Sequence, residues 1–385
     1  GIADGYTLKF TAKNIGQAIN GKTLNTSLTL KHGIASKISL AESAGAKAGQ
    51  AFATAAVVRI LDGQNNLVTE NFNSNGTDYN DANASVTATI NDDAIEFITS
   101  STDPAAAGSG DRTISMGAIA GVADFSRIID PGFGLKGAAG SYTIAYSVAT
   151  TGSSTLSKSQ SITLDHGAAA EARFKTGKQP QASVAAGDVL SPAPVIELFD
   201  AYGNPAITNA TSQVQVDIVK PDATATAVAT FGSNFTAVAG EVSLSGMHFE
   251  STPDTYKLRV RLLNSSASTI HTVLSSSFTI THAAPSQIVL TTPAITTAAN
   301  ALIVSPAPNF IVQDRFGYAV ANDNSTVVTV SIAPASGNTG SATVSGEIET
   351  ASNGVVRFPS MVFNGTPGEY DITFTAISNG VTLTA

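Results

Sequence analysis

Oxygen-bearing side chains crowd into one part of this sequence: Asp78, Asn80, Asp81 and Asn83, then Asn91, Asp92, Asp93 and Glu96, then Asp103. A hard divalent cation takes about six to eight oxygen ligands, and two facing loops with adjacent carboxylates offer that chemistry. Calcium is the cofactor these residues suggest, with Asp78, Asp81, Asp92, Asp93, Glu96 and Asp103 as candidate ligands. The same residues also read as solvated, turn-forming loops, since neither an EF-hand nor a glycine–aspartate nonapeptide repeat is present. Three of the five histidines, His32, His166 and His282, each precede Gly or Ala at like places in the chain. Separated by 134 and 116 residues, they read as polar junction residues bonded to a neighbouring segment rather than as one metal centre. Cysteine is absent, so disulfides and thiolate chemistry are excluded. No nucleophile elbow, metalloprotease helix or Ser-His-Asp grouping stands out, and the sequence is read as non-enzymatic.

The element that must position these groups is a strand entered through tyrosine, which occurs four times. It reads Asp4-Gly5-Tyr6-Thr7-Leu8, Gly140-Ser141-Tyr142-Thr143-Ile144, Asp254-Thr255-Tyr256-Lys257-Leu258 and Gly368-Glu369-Tyr370-Asp371-Ile372. Beyond each tyrosine, apolar and polar residues alternate, the period of a half-buried strand. A tyrosine at the entry of such a strand fits the tyrosine corner of immunoglobulin-like sandwiches, where the hydroxyl bonds back to the chain. Tyr6, Tyr142, Tyr256 and Tyr370 are therefore assigned as structural residues, with Leu8, Ile144, Leu258 and Ile372 at the position that often holds cysteine.

An internal repeat organises the rest. Ser191-Pro192-Ala193-Pro194 returns as Ser305-Pro306-Ala307-Pro308, 114 residues on, and the pairs Asp200/Asp314, Gly240/Gly354 and Tyr256/Tyr370 keep the same offset. Each unit has about seven strands, punctuated by prolines at strand entries and by Asp, Gly and Asn at strand ends. The turn aspartates Asp62, Asp200 and Asp314 are expected to cap their own turns, with calcium between units as the other reading. The first long unit follows the same plan but is longer by 24 residues between its turn aspartate and its tyrosine, in Gly-, Asn-, Asp- and Ser-rich stretches read as enlarged loops.

The expected domains are 1–33, carrying only the last two strands of a unit; 34–167; 168–284; and 285–385, lacking its closing strand. Such ends fit a segment of a longer repeat protein. They also fit a polymer in which one copy's N-terminal hairpin completes the open sheet of the next. Linkers of about four residues imply a semi-rigid rod advancing roughly 35–45 Å per unit. A net charge of −9 argues against nucleic acid as a partner, and no apolar run is long enough to span a bilayer. Asn-x-Ser/Thr triplets at Asn83, Asn209, Asn264, Asn324 and Asn364 are as many as a Ser/Thr-rich composition supplies by itself.

Asp-x-x-Gly-Asn at a strand end, a Gly-led strand and a Gly-x-Tyr-x-Ile/Leu strand, tiled with short linkers, resemble the bacterial immunoglobulin-like repeats of invasin-like adhesins and S-layer proteins. The resemblance implies an all-β chain of tandem immunoglobulin-like β-sandwiches, extracellular and at the cell surface. The first expectation for function is a structural protein of an S-layer or extracellular filament that self-assembles with other copies. A non-assembling adhesin shaft is the second, with a cell-surface glycan as a candidate partner. A carbohydrate-enzyme accessory module is the third, disfavoured by the lack of tryptophan.

Overall fold

The computed structural model describes residues 4–11, 23–74, 77–98, 111–129, 132–151, 154–222, 229–232, 234–292 and 306–385. Among them there is no α-helix; two single 3₁₀ turns, Asp81–Asn83 and Phe125–Arg127, interrupt an otherwise all-β chain. Two compact units are formed. One holds Gly1–Arg173, Glu197–Ser212 and Ala237–Glu241, and the other Phe174–Ile196, Gln213–Thr236 and Val242–Ala385.

One three-stranded sheet recurs three times with the same order. The strand ending in the turn aspartate is central each time: Val57–Asp62, Val195–Asp200 and Asn309–Asp314. On one side lies the opening strand of the repeat, Ala35–Ala41, Ala169–Phe174 or Pro285–Leu290. On the other lies the glycine-led strand, Val122–Asp124, Glu241–Ser243 or Val355–Arg357. Alternation decides the faces: Val58 and Ile60 point inward and are fully buried, while Arg59 between them is exposed.

The tyrosine strands Gly140–Val148, Asp254–Leu263 and Tyr370–Ser378 form the second kind of sheet. Their partners are Ser85–Ile90, Gln213–Val219 and Val327–Pro334, always antiparallel. The register is identical: Ile90 faces Ile144, Ile218 faces Leu258 and Ile332 faces Ile372. A slip of one residue would turn every core side chain outward, so the apolar pattern fixes this register. In the first repeat a core of Val58, Ile60, Val86, Phe125, Ile144 and Tyr146 joins the two sheets. In the third, Phe310, Val312, Val328, Val356 and Phe358 do the same.

The enlarged loops of the first repeat carry more structure than their composition suggests. Phe72–Ser74 and Thr77–Tyr79 form a hairpin in which Phe72 stacks on Tyr79 at 5.2 Å. Ile95–Phe97 joins Gly134–Gly137 and Gln50–Ala51 in an additional sheet that buries Phe97 and Leu135. The closing strand Leu156–Leu164 is tied across the sandwich by Gln160. Its Oε1 accepts the Ser43 amide at 2.9 Å, and its Nε2 donates to the Ser43 carbonyl at 3.1 Å. The Tyr146 hydroxyl donates to the same Oε1 at 3.2 Å, and burial pushes that hydroxyl up to about 12.

Candidate functional site: the joint between successive repeats

The most elaborate polar chemistry in the described residues sits where one repeat hands over to the next, and it is built from five consecutive residues. They are Asp62-Gly63-Gln64-Asn65-Asn66, Asp200-Ala201-Tyr202-Gly203-Asn204 and Asp314-Arg315-Phe316-Gly317-Tyr318. Each aspartate is buried at the end of the central strand. Its Oδ1 accepts two amides of its own turn, those of the residues two and four positions on, at 2.8–3.0 Å. The fourth residue of the turn takes positive φ: 70° at Asn65, 81° at Gly203 and 82° at Gly317.

The second carboxylate oxygen leaves the turn. Oδ2 of Asp62 accepts the Gly33 amide at 2.7 Å, Oδ2 of Asp200 the Gly167 amide at 2.7 Å, and Oδ2 of Asp314 the Ala283 amide at 2.9 Å. These donors follow directly on His32, His166 and His282, in the linker after the preceding closing strand. One carboxylate thus caps a turn and clamps the linker entering its repeat. Charge-assisted bonds of this kind are roughly twice as strong as neutral ones.

The histidines complete the clamp. Nδ1 of each donates to the next residue's carbonyl, at 2.9 Å for His32, 2.7 Å for His166 and 2.9 Å for His282. A carbonyl only accepts, so Nδ1 carries the proton. Nε2 is then free to accept, and it receives the amide of Glu70 at 3.2 Å or of Thr208 at 3.1 Å, each eight residues beyond the turn aspartate. At the third joint His282 lines a cleft of about 520 Å³ together with Asn322, Asp323, Asn324 and Ser325.

The remaining turn residues reach back to the preceding repeat. Asn204 Oδ1 accepts the Ala139 amide at 2.8 Å, and its Nδ2 donates to the Gly137 carbonyl at 2.9 Å. Residues 137–139 form the corner that Tyr142 pins, its hydroxyl donating to the Ala138 carbonyl at 2.8 Å. Tyr256 and Tyr370 do likewise, bonding to the carbonyls of Thr252 at 2.7 Å and Thr366 at 2.9 Å, always four residues upstream. At the third joint Tyr318 replaces Asn204 and donates to the Glu250 carbonyl at 3.3 Å. Tyr6 lies in the strand Asp4–Thr11 and is exposed.

An aromatic ring two residues past the aspartate supplies the apolar contact. Tyr202 lies against Gly49 and Phe316 against Gly187. A Cβ on Gly49 would fall 2.7 Å from the tyrosine oxygen, and one on Gly187 would fall 2.7 Å from the phenylalanine ring. Both glycines also hold positive φ, 76° and 77°. Gly49→Ala should therefore cost about 1–3 kcal/mol, from left-handed strain plus ring displacement. Tyr202→Ala in the same chain should recover part of that loss, a coupling readable in a double-mutant unfolding cycle.

Asp62 gives the joint a pH signature. Desolvation by burial pushes its carboxyl up, but bonds from the Gly33 amide, the Asn66 side chain and amide, and the Gln64 amide outweigh it and bring it from 3.8 to about 2. A folded-state value below the unfolded one gives stability that is present above about pH 4 and lost as pH falls toward 2. The contribution is about 2 kcal/mol. Urea unfolding at pH 5 and pH 2.5 should show this loss in the first repeat, and Asp62→Asn should remove that share of it.

The candidate calcium ligands go to separate tasks. Asp78 accepts from Asn73 Nδ2 at 2.7 Å, Asp92 from the Ala94 amide at 2.8 Å, and Asp93 pairs with Arg112. Asp81 is buried and accepts the Thr151 amide at 2.8 Å. Glu96, read from sequence as a loop carboxylate, lies buried opposite Lys136 in the additional sheet, 3.7 Å from its Nζ. Asp103 lies outside the described residues. Among the described residues no three His, Cys, Asp or Glu groups gather where a metal ion could sit.

No family model matches the chain, and no curated protein sequence matches it. Among solved structures, the chain is similar to invasin, a bacterial integrin-binding protein, at 14% identity over 90% of this chain and 57% of that one, with a TM-score of 0.32. It is similar to the human desmocollin-1 ectodomain at 10% identity over 99% of this chain and 65% of that one, with a TM-score of 0.36. Domains 1–6 of the surface layer protein SbsC are matched at 13% identity over all of this chain and 44% of that one, with a TM-score of 0.22. The chain therefore spans little more than half the length of the invasin structure.

Proposed function

We propose that this chain is a structural cell-surface protein, a run of tandem immunoglobulin-like domains whose copies assemble into an extracellular layer or filament. The domains are 34–167, 168–284 and 285–385, with residues 1–33 contributing two strands of a further one. The observation that carries this reading is the joint: a buried carboxylate on the linker amide at 2.7, 2.7 and 2.9 Å, three times in one chain. Chemistry placed at every linker restrains hinge motion, which is what a load-bearing or space-filling protein requires. Supporting it, the segment Glu197–Ser212, which holds the Asp200 turn, groups with the first repeat's residues in one compact unit. A chain of 385 residues without cysteine and with net charge −9 suits exposure outside the cell.

Electron microscopy of the purified chain, with calcium and with a chelator, tests the proposal. Sheets or fibres are expected under both conditions. Isolated particles at high concentration would instead favour a non-assembling adhesin shaft.

A further inference from the structure

The outer face of the second repeat carries charge that the matching faces of the other two do without. Side chains alternate along Asp254–Leu263: Tyr256, Leu258, Val260 and Leu262 turn inward and are buried, while Lys257, Arg259 and Arg261 turn outward and stay part-exposed. Alternate residues of a strand lie about 7 Å apart, so the three cations form an evenly spaced row. At the same positions the tyrosine strand of the first repeat has Thr143, Ala145 and Ser147, and that of the third has Asp371, Thr373 and Thr375. Asp217, which faces Arg259 in the ladder, is matched by Thr89 opposite Ala145 and by Ser331 opposite Thr373. The sandwich is therefore built twice in this chain with neither the cations nor the buried carboxylate.

Stability does not account for the group. Taking an aspartate and two arginines out of water costs about as much as their attraction offsets, and apolar residues in their place are often neutral or better. What the arrangement does achieve is order. One carboxylate holds two guanidinium groups, Arg259 through Nε at 3.0 Å and Nη2 at 2.8 Å, and Arg261 through Nη2 at 3.2 Å. Three cations against one carboxylate leave the row positive, and the acid at the start of the strand, Asp254, is already bonded to Lys220. The neighbours on the same face carry no charge. Gln215 and Thr272 flank Arg261, and Leu274, 38% exposed, lies beside Arg259.

We infer that this face binds an acidic polysaccharide, with its carboxylates on Lys257, Arg259 and Arg261, its hydroxyls on Gln215 and Thr272, and a ring face on Leu274. A guanidinium fork meets a carboxylate through two parallel bonds, and guanidiniums already held in place lose little freedom on binding. Cations alone would suit a polyphosphate; the amide, hydroxyl and apolar neighbours are what a sugar polymer uses. On a chain of net charge −9 the rest of the surface opposes polyanions, which confines binding to this row. The inference rests on the cell-surface location in the reading above and is independent of self-assembly.

Calorimetric titration of the full chain with polygalacturonate, at low ionic strength and without divalent ions, tests it. Combining Asp217→Thr, Lys257→Thr, Arg259→Ala and Arg261→Ser installs the first repeat's residues at matching positions, a pattern the fold already carries. The unmodified chain should bind the polymer, less tightly as salt rises, and the fourfold variant should bind about tenfold or more weakly. Lys257→Gln alone leaves the Asp217 group intact and should weaken binding about threefold, the worth of one exposed ion pair. Undiminished binding in either variant, or no binding by the unmodified chain, would overturn the inference. Polyphosphate bound more tightly than polygalacturonate would show a plain row of cations and overturn the sugar assignment. Assemblies seen by microscopy without polymer binding would overturn this inference while sparing the assembly reading; binding without assemblies would do the reverse.

Discussion

Asp200→Ala is expected to destabilise the chain by about 3–5 kcal/mol, the upper end of what a single substitution does. The carboxylate accepts four hydrogen bonds, from the amides of Gly167, Tyr202 and Asn204 and from Asn204 Nδ2. Gly167 and Asn204 are buried, so water cannot replace the lost acceptor. Asn204 would lose the partner that aims it at Gly137 and Ala139, and the damage would spread to the corner pinned by Tyr142. Asp200→Asn keeps the shape and one acceptor, and should cost less, about 1–2 kcal/mol. Denaturant unfolding followed by tyrosine fluorescence and far-UV dichroism measures both. A loss below 1 kcal/mol for the alanine variant would mean the clamp contributes little.

A second large effect is expected at Asp217, fully buried on the outer face of Gln213–Val219. Its Oδ2 accepts from Arg259 Nε at 3.0 Å and Nη2 at 2.8 Å, and its Oδ1 from Arg261 Nη2 at 3.2 Å. Arg259 sits directly opposite in the ladder and Arg261 diagonally. Asp217→Ala would leave Arg259, 14% exposed, and Arg261, 30% exposed, beside a buried space with no counter-charge from this residue. Breaking a buried pair on one side costs about 3–5 kcal/mol. Replacing all three with apolar residues of similar volume should cost far less than the single change, because the desolvation penalty vanishes with the charges. Equal losses for the single and triple variants would contradict this account.

Much of the fold could be read from sequence because two periodicities agreed. The two-residue alternation after Tyr142, Tyr256 and Tyr370 marked the strands, and the 114-residue offset carried one reading onto the next repeat. The corner bond four residues upstream follows from the same tyrosines. The turn aspartates announced their local role through the neighbouring Gly and Asn. Their second oxygen did not, because its partner is a backbone amide some 30 residues upstream that looks alike in every residue. Gly49 and Gly187 carry a legible signal, since their spacing of 138 matches that of Asp62 and Asp200. The acidic stretch of the first repeat is legible only as composition. Composition reports that Asp78, Asp92 and Glu96 are carboxylates, but not that an asparagine, a turn amide and a buried lysine already engage them.

The central claim is that the turn carboxylate holds the linker, and amide hydrogen exchange at Gly33, Gly167 and Ala283 tests it most directly. Each amide should exchange at least a hundredfold more slowly than an open linker amide, since exchange requires the joint to open, at about 3 kcal/mol. In Asp200→Ala the protection of Gly167 should vanish while that of Leu258, deep in its sheet, persists. Fast exchange at Gly167 in the unmodified protein, or undiminished protection in the variant, would contradict it.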